Sequence, residues 1–162
     1  MRISLALFLT IFGLYSCRPD EQHSRYHHQM DSLLTELSRM DEKLNKLNIE
    51  EVEQVHDSLA LYYDTTEVTD TVPERYQKFV RSRNILQWYD NINREITFSR
   101  SHLRALQRQN RNKRLDTITI QELQKEKQIV DNLKKRFSHE MQGLRRQIRL
   151  LNKEGEAIGQ MP

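Results

Sequence analysis

The sequence predicts an all-α fold: an elongated, antiparallel three-helix bundle of coiled-coil character. Three observations predict it. The 162-residue chain holds only 4 glycines and 3 prolines, too few for turn-rich sandwiches or barrels. Charged residues make up 30% of it against 36% hydrophobic ones, a balance that suits long solvated helices with one apolar stripe each. Apolar residues also recur in steps of four and three, as Tyr26, Met30, Leu33, Leu37, Met40, Leu44 and Leu47, the a/d pattern of a helical seam.

Residues 1–16 precede the bundle and read as a cleaved secretory signal. Arg2 gives a short positive start, and Ile3 to Leu14 an apolar run broken only by Ser4, Thr10 and Gly13. Arg18, Pro19, Asp20 and Glu21 end that run well short of the roughly 20 apolar residues a spanning helix needs. A tether over 17–23 leads to the first helical stretch, 24–64. Its heptad series slips at Asn48, where Asn48-x-x-Glu51 has the form of a capping box, and resumes as Val52, Val55, Leu59 and Tyr62. A kink and a true break at 48 both fit.

Residues 65–72 (TTEVTDTV) are β-branched and polar without helical period, and read as a loop. Pro73 then stands where a first helical turn tolerates proline. The second stretch covers 73–112, with a stripe of Tyr76, Phe79 or Val80, Ile85, Trp88, Ile92, Ile96, Ser99, Leu103 and Leu106. The third covers 119–153. It opens on the capping-box pattern Thr119-x-x-Glu122 and continues through Leu123, Val130, Leu133, Phe137, Met141, Leu144, Ile148 and Leu151. Gly143 inside it costs about 1 kcal/mol relative to Ala, which points to a neighbour in close approach. Gly155 reads as the helix stop, with 155–162 a flexible tail. Connections this short return each stretch antiparallel to the last. The alternatives are a hairpin of the last two stretches with the first one separate, or a bundle completed by a second chain.

Charge is divided along the chain. Residues 17–72 carry 5 basic and 13 acidic side chains, whereas 73–162 carry 20 basic and 10 acidic. An acidic first stretch packed on two basic ones is the simplest expectation, since opposite fields favour one register over others.

The lone cysteine stands directly after the apolar run, as Leu14-Tyr15-Ser16-Cys17. Here the chain resembles the bacterial lipoprotein class, whose lipobox carries Leu three residues before the cysteine and small residues between; Tyr15 is bulkier than the usual occupant. The resemblance implies cleavage before Cys17, lipidation of its sulfur and amine with acyl chains such as palmitate, and attachment to a membrane without spanning it. Arg18 departs from the Asp that marks inner-membrane retention, and Asp20-Glu21 resembles the acidic export signal of some Gram-negative surface lipoproteins. The implied location is therefore the cell envelope, at the outer membrane, with the face left open.

Candidate binding residues fall in two groups. Arg100, Arg104, Arg108 and Arg111 share one helix face, and Lys113 and Arg114 follow in the turn; such a face can meet anionic lipid headgroups at the end that also bears Cys17. Tyr62, Tyr63, Trp88 and Tyr89 are adjacent aromatic pairs, so one member of each pair should point away from the seam. They form a candidate partner surface in the half away from the anchor.

Catalytic and metal signals are weak. One cysteine rules out a disulfide framework and a Cys-x-x-Cys pair, and no glycines form a Gly-x-Gly loop. His23 and His27 are an i,i+4 pair beside His28 without a third ligand, His56, His102 and His139 are isolated, and Asp64, Glu67 and Asp70 do not match a known calcium loop. No metal, no cofactor and no nucleic-acid partner is expected. The functional expectation is a lipid-anchored helical scaffold, spacer or adaptor with a protein partner, and self-association fits the same pattern. The alternatives are an accessory subunit or holdase of an envelope machine, and a helical enzyme.

Overall fold

The computed structural model describes the backbone of residues 21–65, 73–110 and 115–158. They form four helices: α1 (Glu21–Leu44), α2 (Ile49–Thr65), α3 (Pro73–Gln109) and α4 (Thr117–Ile158). Strands are absent among the described residues, so the chain is an all-helical bundle. The leader, Cys17, Glu67, Asp70, Arg111, Lys113 and Arg114 lie outside the described residues.

The first leg of the bundle is two helices end to end. A helix continued unbroken from Leu44 and Leu47 would bring Glu51 and Gln54 onto the seam. The turn Asn45–Asn48 resets the phase, so that Ile49 and Val52 are buried instead while Glu51 and Gln54 stay exposed. The Leu47 amide donates to the Leu44 carbonyl at 3.0 Å and the Ile49 amide to the Leu47 carbonyl at 2.9 Å, which closes the turn.

Contacts between the legs fix their direction. Asp41 meets Arg100, Asn45 meets Tyr89 and His56 meets Ser82, so the first leg and α3 are antiparallel. His102 meets Glu126, Glu95 meets Arg136 and Trp88 meets Gly143, so α3 and α4 are antiparallel too. Glu36 on Lys134 and Glu51 on Asn152 make the first leg parallel to α4. At 1.5 Å per residue α3 alone spans about 55 Å.

Met30, Leu37, Leu44, Ile85, Ile96, Leu103, Leu123, Leu133 and Leu144 are fully buried along this axis. Each contributes about 1.5–3 kcal/mol by leaving water. Four expectations change: first, the helix of the first leg begins at Glu21, inside the stretch read as a tether. Tyr76, placed on the seam by spacing, is 54% exposed, because the aromatic layer beneath it is filled by Tyr63 and Phe79. α4 begins at Thr117, with Asp116 as its cap: the Thr119 amide donates to Asp116 Oδ1 at 2.7 Å, and that bond holds the Asp116 carboxyl below its usual range. At the other end α4 continues through Gly155 to Ile158; no described glycine takes the left-handed conformation of a helix stop.

The opposed charges meet as the division along the chain implies. Arg100 reaches Asp41 at 2.7 Å, Lys134 reaches Glu36 at 3.0 Å, and Gln107 donates to Asp31 at 2.7 Å. The more exposed Lys134–Glu36 pair contributes about 0–1 kcal/mol, while Arg100 and Asp41 are partly shielded, and together these contacts disfavour shifted registers.

Candidate functional site

α3 and α4 form two grooves. The inner one holds α1. Among the described residues the outer one is open, and Trp88 sits at its middle. Ile85, Ile92 and Ile96 turn into the core, which leaves Trp88 at the helix edge against α4. Gly143 provides its seat. A Cβ at 143 would overlap Cη2 of the indole and lie 3.1 and 3.2 Å from Cζ3 and Cζ2. The close approach inferred from Gly143 is therefore a tryptophan ring laid on the α4 backbone. Its indole N–H makes no hydrogen bond among the described residues and is not sealed from solvent.

Two hollows flank this ring. Toward the far end, Tyr76, Val80, Ile85 and Trp88 bound a space of about 510 Å³, with Gln77, Asn84 and Gln147 supplying amides and Arg81 a cation. Toward the α3–α4 turn, Trp88, Ile92, Phe98 and Ile129 bound one of about 490 Å³. Phe98 is 68% exposed and Ile129 45%. Arg94, Arg136, Glu95 and Glu140 line the same hollow, and Arg136 bridges both carboxylates. Ser99 Oγ, buried in the wall, and one Glu140 oxygen have no hydrogen-bond partner.

The aromatic pairs separate. Tyr62 and Tyr63 lie at the far tip, where Tyr63 packs edge-on to Tyr76 and against Phe79, and Arg75 lies 5.3 Å over the Tyr62 ring. Trp88 and Tyr89 lie about 22 Å down α3, nearer the middle of the rod. They diverge as adjacent residues must: Trp88 faces the outer groove, while the Tyr89 hydroxyl donates to Asn45 at 3.2 Å beside the α1–α2 break. Burial, with Asp41 nearby, pushes the Tyr89 phenol up.

The arginine face divides as well. Arg100 is drawn inward onto Asp41 and leaves the candidate anionic-surface group, because α1 offers it a carboxylate. Arg104 and Arg108 remain exposed. Among the described residues no three His, Cys, Asp or Glu side chains gather around a common point.

Two polar pairs escape the sequence reading. His56 Nδ1 lies 3.2 Å from Ser82 Oγ and its ring stacks on Phe79 at 5.0 Å. Ser82 is fully buried and its hydroxyl donates to the Phe79 carbonyl at 2.8 Å, so the imidazole N–H donates to the serine oxygen and the pair ties α2 to α3. The other pair is His102 Nδ1 and Glu126 Oε2 at 2.7 Å, with Glu126 only 1% exposed and its second oxygen unpartnered. A signal for it existed: the heptad from Leu123 to Val130 calls for a seam residue between them, and Glu126 stands there. No helix among the described residues is long and apolar enough to cross a membrane. No protein-family model, curated protein or solved structure matches this chain.

Proposed function

We propose that the chain is a lipid-anchored protein of the cell envelope, attached at the outer membrane, that works by binding: a scaffold, spacer or adaptor that holds a protein partner near the membrane. The observation that carries this reading is the outer groove. The same two helices bury their inner face fully, yet keep Trp88, Phe98 and Ile129 at the surface of the outer one. Tryptophan and arginine around a concave apolar surface are the composition of interface hot spots. The leader and Cys17 support the anchor. Acyl chains contribute about 0.8 kcal/mol per buried methylene, so two or more hold firmly. α1 begins at Glu21, close after Cys17, and the rod would stand directly on such a foot. Arg104 and Arg108, exposed toward that same end, favour contact with anionic headgroups there, at about 1 kcal/mol each.

Mass spectrometry of the native protein tests the anchor: a mature chain starting at an acylated Cys17 is expected, and an intact leader overturns it. Photocrosslinking in cells from positions 62 and 88 tests the binding role. One recurrent, salt-insensitive partner is expected. Suppression of aggregation of unrelated clients without a fixed partner would replace the adaptor with a holdase.

A further inference from the structure

We propose that the outer α3–α4 groove seats one acidic amphipathic helix of a partner protein, an inference that rests on the binding role above and names the chemistry of the partner. The chain contains its own precedent. α1, with five acidic and three basic residues, lies in the inner groove of these helices through an apolar stripe, Glu36 on Lys134 and Asp41 on Arg100. Among the described residues the outer groove repeats that recipe with no helix laid in it. α3 carries eight basic and three acidic residues, α4 nine and six. Arg81 and Arg94 edge the two hollows, Arg146 is exposed beside Gln147, and the two groove carboxylates, Glu95 and Glu140, are already bridged by Arg136. A field of that sign attracts an acidic helix and disfavours the same face of a second copy.

Spacing specifies the occupant further. One hollow spans Tyr76 to Trp88 on α3 and the other Trp88 to Ser99, so their centres lie about 11 residues, or roughly 17 Å, apart. That is about three turns of an incoming helix. The partner helix presents two bulky apolar side chains about 11 residues apart, one on either side of Trp88, with Asp and Glu along both flanks.

Trp88 is the only tryptophan of the chain, so its emission reports the groove directly. The experiment titrates the full chain, held in phosphatidylcholine nanodiscs, with two synthetic helical peptides of about 20 residues. Both carry Phe at the two anchor positions; one has Glu and the other Lys along the flanks. The Glu peptide is expected to shift Trp88 emission to shorter wavelength and to saturate, and to weaken about tenfold on passing from low to high salt. The double variant Phe98→Ser, Ile129→Ser is expected to weaken it a further tenfold or more, and Arg94→Glu to narrow the preference for the Glu peptide. Leu61→Ser, at the exposed far tip, should leave binding unchanged. Equal binding of the Lys peptide, an unsaturable response, or a dimer of the free chain that dissociates in the Phe98→Ser, Ile129→Ser variant would each overturn the proposal. An unacylated Cys17 would remove the anchor, and the same titration of the full chain free in solution would still test the groove.

Discussion

The two grooves of the α3–α4 hairpin differ in what fills them. In the inner groove Met30, Leu37 and Leu44 share one core with Ile96, Leu103 and Leu144, and the polar Glu126 is fully buried with them. In the outer groove the α3 positions 77, 81, 84, 88, 91, 95 and 98 keep the same heptad step, but five of the seven are polar. A helix pair of this kind offers two seams, and the third leg chooses one by its stripe and its charge. The seam left over keeps Trp88, Phe98 and Ile129 near its surface with arginines along its rim.

The largest expected effect separates core from groove. Leu103→Ala, on the inner seam, is expected to cost about 2–5 kcal/mol, by transfer and cavity terms together. Phe98→Ser, on the outer one, is expected to stay within about 0.5 kcal/mol. Urea denaturation of both variants checks this. A large loss from Phe98→Ser would mean that the outer seam is closed in solution and would break the comparison.

The pair between part-exposed His102 and buried Glu126 sharpens it next. His102→Ala leaves a carboxylate in the core without its one partner and is expected to cost about 1–3 kcal/mol. Glu126→Leu removes that need and is expected to be near neutral or stabilising, since replacing a buried hydrogen-bonded polar group by a well-packed apolar one is often nearly neutral. If the two substitutions gave equal losses, the pair would be holding the seam together rather than merely tolerated within it.

Legibility in the sequence follows this same division. The inner seam was readable because apolar residues mark it at unbroken spacing, from Met30 to Leu44 and from Val130 to Leu151. The break at Asn48 was visible as a phase slip, though spacing alone could not tell a kink from a turn; the exposure of Glu51 and Gln54 decides it. The outer groove was not readable, because its heptad is written mostly in Gln, Asn, Arg and Glu. Only Trp88 and Gly143 hinted at it, each from its own helix. The sharing of Arg100 with Asp41 was invisible for the same reason: spacing places a side chain on a face but does not name the carboxylate opposite.

Gly143→Ala probes the seat of the groove. The added methyl must displace the Trp88 ring, an overpacking cost of about 1–3 kcal/mol, while the helix gains up to about 1 kcal/mol from the loss of glycine. A net loss of about 1 kcal/mol is expected, with Trp88 emission moving to longer wavelength as the ring lifts into water. Unchanged emission would mean that the ring does not rest on α4.

The smallest effect is the acid limb of stability, and it distinguishes the inner seam from the helix cap. The Lys134 ammonium holds the Glu36 carboxyl below its usual range, and the Thr119 amide does the same for Asp116. Both folded values are lower than the unfolded ones, roughly 4.3 and 3.9. Each group therefore stabilises the fold above its unfolded value and loses that contribution as pH falls through the lower folded one. Melting temperature should decline below about pH 4.3. Lys134→Gln should make that decline shallower by removing the larger part of the Glu36 share, Arg39 keeping the rest, and high salt should act in the same direction, because an exposed ion pair is screened. The Asp116 share should survive both changes, since its partner is a backbone N–H fixed by the helix. If salt abolished the whole acid limb, the cap would contribute nothing, and α4 would owe its start to packing of Thr119 and Leu123 alone.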